Sequence, residues 1–427
     1  MNAVVFPSKI RGSAEAPPSK SYTHRAIILA SLAKGRSVIE NALISDDTAY
    51  TLNACKALGV KAERAGTRIT IEGSGGALKG GGKVFVGNSG TTIRLMSSIA
   101  ALADGDTLFD GTREMRRRPM EDLLDALKQL GIEAESLEGN GCPPIHVHGG
   151  GLRGGTVKIS GETSSQFVSS LLLACPYAQK PTRIKVIGGL NSKPYVDVTL
   201  DLMRTFGVKA KNNHYREFLV PVGGYSARKY SVEGDYSSAS YFFGGAAVTS
   251  SQLAIEGVNR NSVQGDKIFL DVLKKMGCGV TWAGRKVVVK GPAALKAIRI
   301  NMGDYPDLVP TLAAVAAFAK GTTKITGVGH LKFKETDRLK APAAELKKTG
   351  IKVEIGRDSM AIRGVYPQKP RGAAFETYKD HRMAMSLATL ALGAEGTSVI
   401  RDAECVSKSF PGYFQRMKKL GAKISLN

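Results

Sequence analysis

Six short stretches place cations, hydroxyls or carboxylates at the start of apolar runs. They are PPSKSYTHR (17–25), GNSGTTIR (87–94), GETSSQ (161–166), GDYSS (234–238), GDYPD (303–307) and YKDHR (378–382). A helix N-terminus offers unpaired N–H groups and partial positive charge, so several of them facing one way would form a multi-point anion site. Ser, Thr, Asn and Asp are also ordinary N-caps, and capping accounts for much of GETSS and GDYSS. It does not account for Lys20, Arg25, Arg94 and Arg382, which stand just behind the same termini, where positive charge is disfavoured. Those cations call for bound anions or for free access to water.

Other stretches add reactive groups. Residues 332–338 read KFKETDR and pack three cations and two carboxylates into seven positions, the pattern of an anion site or of a salt-bridged helix start. SKSFP sets Lys408 before another helix, and Arg113 to Arg118 form the densest basic run, closed by Pro119. GNSGTTIR resembles a phosphate-cradling loop but lacks the G-K-[ST] of a nucleotide P-loop. His146 and His148 alternate in an expected strand. A metal needs a third ligand, none is suggested nearby, and surface histidines are the expectation.

The elements that must hold these groups form a repeat. An amphipathic helix ending in Gly recurs six times, at Gly59, Gly131, Gly207, Gly277, Gly350 and Gly421, with spacings of 72, 76, 70, 73 and 71 residues. Each glycine suits the left-handed position that ends a helix, and a strand pair follows each of the first five. The sixth copy stops at AKISLN, and AVVFPSKIRG at the N-terminus resembles its missing strand. A second helix in each repeat is rich in small residues nearly all round, which predicts burial. The expected fold is α/β (α+β): two similar domains, each of three β/α units with buried parallel helices. One domain (14–226) is inserted into the other (1–13 plus 227–427), and the two connections form a hinge.

Composition narrows the function classes. The chain has 427 residues, 43% hydrophobic and 23% charged, enough for two or three ordinary domains. Net charge is +23, yet no basic tail or basic-aromatic interleaving is present, so no nucleic-acid partner is expected. Five scattered cysteines without a C-x-x-C argue against a disulfide framework or zinc site. The N-terminus lacks the pattern of a signal peptide, and no apolar run is long enough to span a bilayer. A cytoplasmic location with no membrane partner is the expectation.

PPSKSYTHRA, GNSGTTIR, RRRPM, SSQF, SKPY, YPD, KETDRL, DHRMAM and SKSFPGYF occur in the order found in 5-enolpyruvylshikimate-3-phosphate synthases, and the chain resembles that family nearly end to end. The resemblance implies two three-repeat domains with a cleft between them. It implies transfer of the enolpyruvyl group of phosphoenolpyruvate to the 5-hydroxyl of shikimate 3-phosphate, with release of phosphate, in aromatic amino acid biosynthesis. It implies a monomer with no metal and no organic cofactor. Both substrates carry a phosphate and a carboxylate, which answers the need for anions. By the same resemblance Asp307 is the base at the 5-hydroxyl, Glu335 exchanges a proton at the methylene carbon, and Lys20 lies between the substrates. Lys20, Ser21, Arg25, Ser164, Ser165, Gln166, Ser192, Asp307 and Lys334 are the implied shikimate 3-phosphate contacts. Lys20, Asn88, Gly90, Arg118, Gln166, Arg338, Arg382 and Lys408 are those of phosphoenolpyruvate.

Leu95 stands where proline is frequent in the family, and His330 where asparagine is common ahead of KETDRL. Neither removes a group the chemistry requires. The related UDP-N-acetylglucosamine enolpyruvyl transferases open with lysine–asparagine and use a loop cysteine. Here Ser21 follows Lys20, and residues 113–119 hold no cysteine. An RNA-end-binding protein is the rival that the charge alone suggests.

Overall fold

The structure, a computed structural model, describes residues 1–427. Twelve α-helices alternate in kind along the chain. The buried ones are α1 (Lys20–Leu32), α3 (Gly90–Ala100), α5 (Ser165–Ala174), α7 (Tyr236–Val248), α9 (Val309–Ala316) and α11 (His381–Gly393). Between them lie α2 (Asp46–Ala57), α4 (Glu121–Gln129), α6 (Lys193–Thr205), α8 (Ile268–Lys275), α10 (Lys340–Lys348) and α12 (Tyr413–Lys419). The second set is amphipathic: in α4, Leu123, Leu124, Ala126 and Leu127 are buried while Glu121, Asp125 and Lys128 are exposed. All six glycines that follow this set have φ between +86° and +100°, the left-handed conformation that L side chains resist.

Six four-stranded sheets share one topology. In each, a first strand runs parallel to a second, reached through a buried helix; after the surface helix, a hairpin adds the last strand antiparallel beside the second. The sixth sheet takes its last strand from the N-terminus: Ala3–Phe6 lies between Ser398–Ile400 and Lys423–Leu426. Two first strands are exchanged between repeats. Gly12–Glu15, which precedes α1, pairs with Gln252–Glu256 of the fourth repeat. Lys229–Ser231, which precedes α7, pairs with Lys34–Glu40 of the first.

The chain divides into two compact units: Met1–Pro18 with Glu233–Asn427, and Ser19–Val232. The sequence-based boundaries at 13/14 and 226/227 each lie five or six residues too early. The exchanged strands are the reason, because each stays with the sheet it completes. Each unit has its own core. In the first, hydroxyls of Ser240 (α7), Thr311 (α9) and Ser386 (α11) meet at 3.3 Å, and Gly244 faces the methyls of Thr311 and Thr389. One turn earlier, Arg382 reaches Ser237 and Asp307. First turn meets first turn and second meets second in α7 and α11, and α9 advances beside them in the same order, with Asp307 just ahead of its start and Thr311 inside it, so the three buried helices are parallel. In the other unit, Ser98 of α3 meets Ser170 of α5 at 2.7 Å, and Arg94 meets Ser164 and Gln166 at the α5 start, again a parallel pair. Small residues allow this close approach, and parallel packing gathers the N-terminal ends on one side of each unit. No helix is long and apolar enough to cross a membrane.

The last strand of several repeats passes tightly over the end of its buried helix. A Cβ on Gly73 would overlap the carbonyl oxygens of Ala33 and Ala30, and one on Gly364 that of Ala319. Backbone cannot step aside as a flexible side chain can. Gly73→Ala and Gly364→Ala should each lower stability by about 1–3 kcal/mol, read as a reduced urea midpoint; an unchanged midpoint would show that these contacts relax freely.

Candidate functional site

In the Ser19–Val232 unit, α1 begins without a side-chain cap: Ser19 makes no cap hydrogen bond and the first turn holds no acid. Lys20 instead pairs with Asp47 at 2.9 Å, with both side chains largely buried. Asp47 is itself fixed, since its carbonyl accepts from Thr92, whose hydroxyl also meets Ser89 and Thr51. His24 Nδ1 completes the chain at 2.6 Å from Thr51. An internal carboxylate thus does part of what the sequence demanded of an external anion at Lys20.

Arg25 has no such partner. It is fully buried, and its guanidinium donates to Thr199 Oγ1, Ser169 Oγ and the carbonyls of Ser21 and Tyr195, all neutral oxygens. Burial pulls its pKa down to about 10. A cation held in low dielectric among neutral acceptors gains strongly from an anion beside it. Arg94 binds Ser164 and Gln166 with its ring partner Phe167 beneath, and Gln166 reaches Thr91 at 2.9 Å. Gly90 opens α3 directly against Arg118, where a Cβ would overlap the guanidinium. Of the expected residues in this unit, Lys20, Arg25, Ser164, Gln166, Gly90 and Arg118 thus join side-chain clusters. Ser21 contributes its carbonyl; Ser192 caps α6 in a left-handed conformation, one turn from the Tyr195 carbonyl that meets Arg25. Ser165 is buried in the first turn of α5, and Asn88 sits in the loop ahead of α3.

The other unit solves the same electrostatic problem with carboxylates. Arg338 is 1% exposed and is held by three of them. Asp380 takes Nε at 2.7 Å and Nη2 at 3.0 Å, Asp307 takes Nη1 at 3.0 Å, and Glu335 lies 2.7 Å from Nη2. Burial opposes the charge, yet Asp380, Glu335 and Asp307 together hold the guanidinium protonated well above its ordinary range. Arg382 grips the second oxygen of Asp307 at 2.6 Å, and Lys408 lies 3.4 Å from the second oxygen of Glu335. Asp380 also caps α11 through the Arg382 N–H, so one carboxylate fixes both arginines. Asp380 is fully buried and serves structure, whereas Asp307 and Glu335 keep 20% and 11% of their side-chain surface open. The KFKETDR stretch is therefore no solvated helix start: its arginine is the centre of the cluster, and α10 begins only at Lys340. Lys334 stands beside it, half-buried.

Sequence reasoning gave no role to Asp47 or Asp380. Asp380 stood inside the quoted DHR motif, and its place before Arg382 was the available signal. Asp47 stands in the first turn of α2, where an acid is ordinary, and offers no such signal.

Buried guanidiniums in each unit, and two partly open carboxylates in one, are the groups that suit small, multiply anionic ligands and proton transfer. Comparison with known proteins makes this specific. The sequence model described as EPSP synthase (3-phosphoshikimate 1-carboxyvinyltransferase) matches residues 4–417. A 3-phosphoshikimate 1-carboxyvinyltransferase of Methanothermobacter thermautotrophicus is 44% identical over 421 residues, 98% of this chain and 98% of that protein. One from Methanosphaera stadtmanae is 42% identical over 418 residues, 96% and 97% of the two chains. The solved EPSP synthase of Acinetobacter baumannii superposes with a TM-score of 0.83 at 28% identity, covering both chains fully. The chain belongs to the EPSP synthase family.

His330 is buried beside this cluster, and burial with the nearby Lys334 charge lowers its pKa from 6.5 to about 4, against the opposing pull of Asp358 and Asp307. Between those values the unfolded chain binds a proton that the folded chain refuses, so stability falls as pH drops from about 6.5 to 4. His330→Asn should flatten that part of the urea-midpoint profile; an equal loss between pH 7 and 5 in both proteins would remove His330 from the account.

Proposed function

We propose that this chain transfers the enolpyruvyl group of phosphoenolpyruvate to the 5-hydroxyl of shikimate 3-phosphate and releases phosphate. The supporting observation is the Arg338 cluster, in which two partly open carboxylates, Asp307 and Glu335, share one buried guanidinium and are each backed by a second cation. The full-length family match selects the substrates.

The substrate anions compete for the cations that hold these carboxylates. A phosphoenolpyruvate phosphate and carboxylate drawn to Arg338, Arg382 and Lys408 weaken the hold on Asp307 and Glu335 and make both more basic. Asp307 then takes the proton of the attacking 5-hydroxyl as its oxygen bonds to C2. Glu335, which takes up a proton from solvent once the substrate engages its cations, delivers that proton to the methylene carbon, giving a tetrahedral intermediate. In the second half the methyl carbon returns a proton to Glu335, the double bond re-forms, the C2–O bond to phosphate breaks, and the proton held by Asp307 passes to the departing phosphate. Lys20 stabilises charge between the substrates.

Arg25, with Ser21, Ser164, Ser165, Ser192 and Lys334, holds shikimate 3-phosphate, and Arg25 gains the counter-charge it lacks. Asn88, Gly90 and Arg118 complete the phosphoenolpyruvate set, and Gln166 serves both. The reading needs neither nucleic acid nor a second copy of the chain, and no metal takes part in the steps above.

Phosphate release should require both substrates together. Activity with UDP-N-acetylglucosamine in place of shikimate 3-phosphate would overturn the assignment. Asp307→Ala and Glu335→Gln should each lower kcat by about 100-fold or more with smaller changes in KM; turnover close to normal in both would refute the carboxylate roles. Arg25→Met should raise KM for shikimate 3-phosphate by about 10–100-fold, the loss of a charged hydrogen bond, and leave KM for phosphoenolpyruvate nearly unchanged. A uniform rise for both substrates would mean that Arg25 is structural only.

A further inference from the structure

The two histidines left over by the sequence find a third partner in the fold. His146 lies in the strand Ile145–Val147 and His148 follows it; two residues apart on extended chain, they leave the same face. Ile145 and Val147 point into the core. The neighbouring strand Thr107–Asp110 runs antiparallel with Thr107 opposite Val147, which sets Asp106 opposite His148. Forty residues separate Asp106 from His146 in sequence, so spacing alone could not reveal the cluster. His148 Nδ1 is 3.3 Å from Asp106 Oδ1 and His146 Nε2 is 3.4 Å from Asp106 Oδ2. The imidazole rings are 4.2 Å apart. One donor atom from each residue lies within 4.8 Å of the others.

These separations bear on two readings. A charged N–H···O bond between imidazolium and carboxylate spans about 2.7–2.9 Å, and both contacts are longer. A nitrogen and an oxygen at tetrahedral corners about 2.0–2.1 Å from one ion are separated by about 3.3–3.4 Å, and each imidazole nitrogen stands at that separation from one oxygen of Asp106, so the carboxylate can meet one ion by a small rotation or with both oxygens. Glu135, paired with His146 from the strand Ala134–Ser136, adds negative charge to the same face. Two imidazoles with one carboxylate suit ions of the zinc type and not magnesium or calcium, which prefer all-oxygen sites. The three side chains are partly exposed, so solvent supplies the fourth position.

We propose that Asp106, His146 and His148 form a site for a divalent transition-metal ion that ties the strands Thr107–Asp110 and Ile145–Val147 together. The ion plays no part in enolpyruvyl transfer. Tag-free full-length protein titrated with Co2+ should develop the visible band of tetrahedral cobalt at one ion per chain, with micromolar affinity, and Zn2+ should bleach it. His146→Ala, His148→Gln and Asp106→Asn should each weaken Co2+ binding by about tenfold or more. Zn2+ should also raise the unfolding temperature of the native chain but not that of the variants. No band beyond that of hydrated cobalt, a Kd weaker than about 1 mM, or a band that all three variants retain overturns the site. The native titration decides alone if a variant does not fold.

Discussion

Parallel packing of buried helices is the constraint on which the rest of this structure depends. Helices α7, α9 and α11, and likewise α3 and α5, lie side by side because Gly, Ala, Ser and Thr let their backbones approach. Parallel packing aligns their dipoles, so positive ends gather instead of cancelling. Adding arginine and lysine at those ends makes each unit costly to fold unless negative charge is found.

The two units find it differently. Around Arg338 the chain supplies its own: Asp380 is permanent, capping α11 and holding the guanidinium with both oxygens, while Asp307 and Glu335 are held by groups that an anion can draw away. Around Arg25 the chain supplies only neutral oxygens. One unit is thus poised with chemistry already charged, and the other with an unmet need for an anion. The difference matters because a carboxylate beside Arg25 would compete with a phosphate ligand, whereas in the proposed reaction Asp307 and Glu335 beside Arg338 move protons.

Local rules made much of the fold legible. The six cap glycines announced themselves because a left-handed residue after an amphipathic helix has few substitutes, and the small-residue helices because no exposed helix has such a composition. Motif residues near helix starts, such as Arg25, Gln166 and Arg382, were also visible in the sequence. Pairings across tens or hundreds of residues were not. The exchange of Gly12–Glu15 and Lys229–Ser231 between repeats displaced the expected boundaries, since a short strand carries no mark of which sheet will accept it. Asp47 and Asp380 looked like ordinary helix-start acids, and only the tertiary structure shows them against Lys20 and Arg338. Asp106 likewise meets His146 and His148 only through strand register.

The placement of Ala3–Phe6 between Ser398–Ile400 and Lys423–Leu426 bears on how the chain comes to be folded. Residues 19–232 contain every strand of their three sheets and can close as soon as they leave the ribosome. Ala3–Phe6 is synthesised long before its two partner strands and must wait for them. Until then Ala3–Phe6 is unpaired, and the sheet that it completes closes the longest loop in the molecule. Ala3–Phe6 is therefore a latch, and the surrounding unit is shut by strands that lie about 400 residues apart in the chain.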